Sequence, residues 1–110
     1  LSAMQISNSA LWDAVLSCVA LAPRAVVLGG GGYNPWTLAR GWAGLWGRLN
    51  GLPMPESLPE AARSVLVPLS CDLVDDEDRD PAWLSTLVDP PNGGAIRAEV
   101  RDIVRIITAQ

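Results

Sequence analysis

A run of four consecutive glycines, residues 29–32, constrains the fold of this 110-residue chain more than any other feature. A short apolar stretch at residues 25–28 precedes the run, and Tyr33 follows it. Glycine allows positive φ angles and close backbone approach, but it loses more conformational freedom on folding than any other residue. From residue 35 to residue 49 apolar residues recur with helical spacing. The sequence therefore predicts a β-strand, a glycine loop and an α-helix.

The predicted strand at residues 25–28 is apolar at every position. Such strands are typical of a parallel sheet that helices cover on both faces. The sequence contains no second convincing strand, so we expect most of the sheet to come from residues outside this chain. The predicted fold class is therefore α/β, here mostly helical with one clear strand.

The predicted helix at residues 35–49 has an apolar face, which consists of Trp36, Ala39, Trp42, Ala43, Trp46 and Leu49. Tryptophans at this spacing usually belong to a protein core, so we expect them to be buried. Capping residues, prolines and apolar periodicity predict three further helices, at residues 8–22, 60–66 and 95–108. The last of these helices has an apolar stripe formed by Ile96, Val100, Ile103, Val104 and Ile107.

The glycine loop and the start of the following helix form a specific motif. Residues 28–35 read LGGGGYNP, residues 37–40 read TLAR, and Trp42 follows shortly after. This pattern resembles the tyrosine-bearing loop of the zinc-dependent histone deacetylase superfamily. It is most similar to the bacterial members, the acetoin-utilisation deacetylases and the acetylpolyamine amidohydrolases. One departure is Gly41, where the family commonly has cysteine, and we expect this glycine to loosen helix packing.

The resemblance extends over most of the chain. Residues 1–20 resemble the helix that precedes the loop in the family, and residues 52–60 and 83–91 resemble the C-terminal extension of the bacterial branch. In the family, the last metal-binding aspartate lies shortly before the segment that matches Leu1. We therefore expect the chain to be a C-terminal fragment that begins just downstream of the metal site.

The resemblance implies that residues 1–110 are the C-terminal portion of a deacetylase domain with an arginase/deacetylase-like parallel-sheet fold. Residues 1–50 would supply the helix, strand, glycine loop and second helix, and residues 51–110 the extension. The parent enzyme would use zinc to remove acetyl groups from acetyl-lysine or acetylpolyamine-type amides. Its implied partners are this acetylated substrate and the remainder of the deacetylase domain.

Tyr33 is the candidate catalytic residue. A phenol is a hydrogen-bond donor at neutral pH, and in the family this tyrosine stabilises the oxyanion that forms during amide hydrolysis. By the same resemblance, Gly30, Gly31 and Gly32 would line the channel for the acyl-lysine stem. The family holds zinc with two aspartates and a histidine and uses a histidine pair at the general base, whereas this chain has no histidine. We therefore expect the fragment alone to bind no zinc and to be inactive.

Composition narrows the possible partners and location. The net charge is −4, with eight arginines and no lysine, which argues against nucleic acid as a partner. No apolar run approaches the roughly 20 residues of a membrane span, and no secretion signal opens the chain. Cys18 and Cys71 are too few for a disulfide framework. They indicate reduced, buried thiols in a cytoplasmic protein.

Other interpretations of the same residues are weaker. A dinucleotide-binding loop would need a third glycine where Asn34 stands, and a phosphate-binding P-loop would need a lysine. The acidic run at residues 72–80 lacks the pattern of a calcium loop and is better explained as a solvated connector. Arg40 is expected to form a surface or structural salt bridge or to hold loop carbonyls. The alternative function is a non-enzymatic helical module that docks on a partner through its tryptophan-rich face.

Overall fold

The computed structural model describes residues 6–90 and 93–109. In this part of the chain the regular elements are four α-helices and two short 3₁₀ turns. The α-helices are α1 (Asn8–Val19), α2 (Pro35–Leu49), α3 (Glu60–Leu66) and α4 (Ala98–Thr108). The 3₁₀ turns span Asp76–Asp78 and Pro81–Leu84. None of the described helices is long and apolar enough to cross a membrane.

Local capping signals explain where the first two helices begin. The Ser7 side chain accepts a hydrogen bond from the Ala10 N–H at 3.3 Å. The Asn34 side chain accepts from the N–H groups of Trp36 and Thr37, both at 3.1 Å. These bonds satisfy donors that have no partner within the helix, which is the usual role of serine and asparagine at this position.

The predicted bounds of α2 and α3 are confirmed, and those of α1 and α4 are confirmed except at one end. α1 ends at Val19, before the predicted residue 22, and α4 begins at Ala98, after the predicted residue 95.

The predicted strand at residues 25–28 is not formed. These residues have no regular secondary structure, and no β-strand occurs among residues 6–90 and 93–109. A strand exists only when its backbone pairs with a neighbouring strand. Without such a neighbour the stretch is exposed to solvent, and the side chains of Val26 and Leu28 are 83% and 82% exposed.

The core lies where α1, α2 and the segment after α2 meet. Its buried hydrophobic members are Trp12, Trp36, Leu45, Leu58, Leu66 and Leu87. Trp12 of α1 packs against α2 and donates its indole N–H to the carbonyl of Gly41 at 2.8 Å. A β-carbon at Gly44 would lie only 2.0 Å from Cζ2 of Trp12, so the absence of a side chain at Gly44 makes this helix contact possible.

The predicted apolar face of α2 is wrong in most of its members. Only Trp36 is buried, whereas Trp42 is 39% and Trp46 is 62% exposed. The residues that α2 buries are Trp36, Arg40, Gly44, Leu45 and Gly47. The reason is that the buried face is selected by close packing and by ion pairing, which hydrophobic periodicity does not register.

The predicted α4 stripe is uncovered, and the expected burial of the cysteines is corrected. All five residues of the predicted α4 stripe are exposed in the described structure. Both cysteines are free, as expected, but Cys18 is exposed and Cys71 is half-buried, so neither is a fully buried thiol. The stripe and Cys18 are apolar features that the described residues leave uncovered.

The two glycines inside α2 should respond oppositely to substitution by alanine. No atom lies within 4 Å of a β-carbon at Gly41, so the G41A variant should gain about 0.5–1 kcal/mol of unfolding free energy from helix propensity. G44A brings the same propensity but forces a β-carbon against Trp12, so it should lose about 2 kcal/mol. Denaturant unfolding of both variants measures this difference. Equal effects at the two positions would contradict the described packing of α1 on α2.

Candidate functional site

The glycine loop lies in residues 29–34, between the open stretch and α2, and has no regular secondary structure. Gly31 and Gly32 have φ angles of 73° and 82°, which side chains other than glycine adopt only with strain. These two residues turn the chain into α2. No atom lies within 4 Å of a β-carbon at Gly30, so its backbone faces open space. The three predicted channel glycines therefore differ in their conformational roles.

Tyr33 projects from the end of this loop. Its side chain is 70% exposed, so the phenol is accessible to a molecule that approaches from the solvent. Its backbone carbonyl accepts a hydrogen bond from the Cys71 thiol, with Sγ and O 3.6 Å apart. The next residue is Asn34, the cap of α2. Tyr33 is thus attached to a capped helix on one side and to a pair of glycines with positive φ angles on the other.

Trp36 fixes the start of α2, three residues after Tyr33. Its side chain is buried, and its indole N–H donates to the carbonyl of Leu66 at 2.8 Å. The ring stacks on Trp83, with centroids 6.3 Å apart and an interplanar angle of 22°. The guanidinium of Arg79 lies 5.4 Å from the ring centroid, within cation–π range. The segment after α2 therefore holds the helix end that carries the loop.

Arg40 makes the second fixed point, one turn further along α2. It is 2% exposed, donates from Nε to the Thr86 carbonyl at 2.6 Å, and pairs with Oδ1 of Asp89 at 2.7 Å. The other Asp89 oxygen, Oδ2, accepts from the backbone N–H of Asn8 at 2.7 Å. The expected salt bridge is therefore confirmed, and the structure shows that it is the buried, structural kind, together with a hydrogen bond to a carbonyl group.

Asn8 makes long-range contacts that its local sequence did not indicate. Its side-chain amide donates to the Leu87 carbonyl at 2.6 Å and accepts from the Asp89 N–H at 2.9 Å. The three side chains of Asn8, Arg40 and Asp89, which we call the polar clasp, join α1, α2 and the residues after the last 3₁₀ turn. An asparagine one residue after the helix cap was the only local signal, and it indicated a cap rather than a long-range contact.

The donor set for zinc, the cofactor that the resemblance implies, does not fit this chain. The sequence contains no histidine. Within residues 6–90 and 93–109, no three cysteine or acidic side chains come together in a way that could hold a metal ion. In the acidic run, the exposed Asp76 instead pairs with the guanidinium of Arg79 at 4.0 Å. A zinc-dependent reaction would need ligands from outside the chain.

Comparison with known proteins identifies structural relatives. No protein-family profile and no curated protein sequence matches the chain. Among solved structures, it is similar to a histone deacetylase (HDAC) homologue crystallised in complex with SAHA, with 36% identity and a TM-score of 0.74 over 93% of this chain. It is also similar to an HDAC homologue from Aquifex aeolicus, with 37% identity and a TM-score of 0.73 over 91% of this chain.

These likenesses show that the chain is similar in sequence and fold to one segment of the HDAC homologue structures. The predicted class is therefore supported, although its single strand is not formed here. The chain spans only 27% of the length of each solved homologue.

Removal of the Asp89 carboxylate should destabilise the chain strongly, because Arg40 would then be a buried charge without its partner. We expect D89A to lower the unfolding free energy by about 3 kcal/mol, as for other broken buried ion pairs. The matched control is D13A, which removes the carboxylate of the solvent-exposed Arg48–Asp13 pair and should cost less than about 1 kcal/mol. Chemical denaturation measures both. A similar small cost for the two variants would show that the polar clasp does not hold α2.

Proposed function

We propose that this chain is the C-terminal part of a zinc-dependent deacetylase of the bacterial branch, and that Tyr33 stabilises the oxyanion of the reaction. The observation that carries the proposal is the exposed Tyr33 phenol, placed between the positive-φ glycines and the capped start of α2. Its setting in a chain 36–37% identical to HDAC homologues supports this role. The proposed parent is cytoplasmic.

The proposed chemistry needs one well-placed hydrogen-bond donor. When water attacks an acetyl amide, negative charge develops on the carbonyl oxygen. The Tyr33 hydroxyl would donate to that oxygen and bind it more strongly in the tetrahedral intermediate than in the substrate. The exposure of the phenol gives a carbonyl group access to it. The glycines before it would let the ring turn toward the bound substrate.

The remaining parts of the machinery would come from outside this chain. Bound zinc supplies polarisation of the carbonyl and activation of water, and its ligands and the histidine base would belong to the remainder of the deacetylase domain. Gly30, Gly31 and Gly32 would form part of the wall beside an acetyl-lysine or acetylpolyamine stem, where the lack of side chains leaves room. The isolated 110 residues would therefore be inactive.

A second function is favoured by one observation, the exposure of the α2 tryptophans. Trp42 and Trp46, with Leu49 nearby, remain accessible on one side of the helix. Exposed aromatic side chains of this kind can bind a partner protein. In a docking module, W42A would abolish partner binding, while Y33F would leave it unchanged. The deacetylase proposal predicts the opposite pattern for turnover: Y33F should lower it, and W42A should matter less.

The Y33F variant tests the deacetylase proposal most directly. In the longest natural polypeptide that contains this segment, Y33F should lower kcat for an acetyl-lysine or acetylpolyamine substrate by about 10²–10³, the effect of losing an oxyanion donor. The ring remains, so folding should be unchanged. Steady-state kinetics with zinc present measure the loss. W46F, which alters an exposed aromatic ring of α2, serves as the control and should keep full activity.

Unchanged turnover of Y33F would exclude the oxyanion role. If the parent polypeptide is inactive with zinc on both substrate classes, the deacetylase assignment itself fails, and the docking function becomes the better explanation.

The G30A variant distinguishes a channel wall from a simple turn. Gly30 has neither a positive φ angle nor a neighbour within 4 Å of a β-carbon, so alanine should be tolerated by this segment. A methyl group projecting into the proposed channel should nevertheless raise KM by about tenfold, the usual discrimination for one methylene-sized group. The matched control is G93A, a position equally free of neighbours. An unchanged KM for G30A would remove Gly30 from the channel.

A further inference from the structure

Two hydrogen bonds reach the Tyr33 region from one short segment of the chain. The carbonyl of Leu66 accepts from the Trp36 indole at 2.8 Å, and the thiol of Cys71 donates to the Tyr33 carbonyl across 3.6 Å. We call residues 66–71 the anchor segment. Its two contacts lie at Tyr33 itself and three residues beyond it, where α2 begins.

The anchor segment is itself fixed. Leu66 is buried in the core at the end of α3. Its carbonyl also accepts from the Leu69 N–H at 3.3 Å, which closes a turn around Pro68, whose ring restricts φ. Leu69 and Cys71 both pack against the core. Because the anchor segment is held in place, it can also hold the groups that it contacts, the Trp36 indole and the Tyr33 carbonyl.

The glycine loop needs such support. Gly31 and Gly32 precede Tyr33, and glycine restricts the backbone less than any other residue. The loop side therefore does little to define where the phenol points. An oxyanion donor acts only if its hydroxyl is held close to the developing charge. The position of Tyr33 must consequently be set from the α2 side and by the bond to its carbonyl.

We propose that Trp36 and Cys71 are positioning residues for Tyr33, acting through the anchor segment. Trp36 sets the start of α2, and the Cys71 thiol sets the peptide plane that follows the Tyr33 side chain. Neither residue touches the substrate in this proposal. Since it deepens the proposed function of Tyr33, the inference rests on that function.

The bond to Cys71 can be tested without activity. The 110-residue chain contains one tyrosine, so [1-¹³C]tyrosine gives a single labelled carbonyl. In C71A this resonance should move upfield, because the carbonyl loses its hydrogen bond. C71S retains a donor and should keep the resonance near its original position. C18A, at the other cysteine, is the control and should leave it unchanged. No movement in C71A would overturn the role of the thiol.

The functional test uses the active parent polypeptide. C71A and W36F, which removes the indole N–H but keeps an aromatic ring, should each lower kcat about fivefold, as expected for one weak hydrogen bond, with KM unchanged. C71S should restore most of the loss, and C18A should have no effect. In a Y33F background, C71A and W36F should lower the residual turnover no further, because both act through Tyr33.

The outcomes distinguish failure of the positioning inference from failure of the proposed function of Tyr33. If Y33F abolishes turnover while C71A and W36F leave kcat unchanged, the positioning inference is wrong and the proposed function stands. Equal losses from C71A in the presence and absence of the Tyr33 hydroxyl would also overturn it, since they would indicate general destabilisation. If Y33F itself has no effect, the proposed function fails, and the inference fails with it.

Discussion

The burial of a single guanidinium, that of Arg40, is the constraint on which the rest of the structure depends. A buried charge is unfavourable unless it is paired and hydrogen-bonded. Arg40 is therefore stable only where the Asp89 carboxylate and the Thr86 carbonyl reach it, and both groups come from the residues just after the last 3₁₀ turn. Asp89 also binds the N–H of Asn8. The need to pair the Arg40 charge therefore holds α1 and α2 together with the segment that carries Asp89.

Along α2, three different contacts follow one another at intervals of one helical turn. Trp36 makes an aromatic contact, Arg40 an ionic one, and Gly44 a close backbone approach to Trp12. Residues four apart lie on the same side of a helix, so these contacts form one continuous buried face. The helix is thus fixed in rotation and in position along its axis. The orientation of the loop at its N-terminus follows from that placement.

Local signals in the sequence predicted the helices well. The contacts between residues distant in the sequence could not be predicted from such signals. Caps and prolines specify α2 and α3 within a few residues of the helix, so their bounds could be derived. The pairing of Asn8 with Asp89 joins residues 81 positions apart, and no local pattern encodes it. The glycine loop was recognisable as a motif, but the anchoring of Trp36 at Leu66 became visible only in the folded chain.

In the proposed enzyme, the catalytic groups would be shared between this chain and the remainder of the domain. This chain would supply the hydrogen-bond donor, while the metal and the base would come from the remainder of the domain. The donor and the metal can act on one carbonyl only if both parts are held in a fixed relation. The uncovered side chains of Val26 and Leu28, on the segment leading into the glycine loop, are apolar surface available for that packing. Packing before the loop would then hold the chain against the rest of the domain, while the anchoring after the loop sets the position of Tyr33.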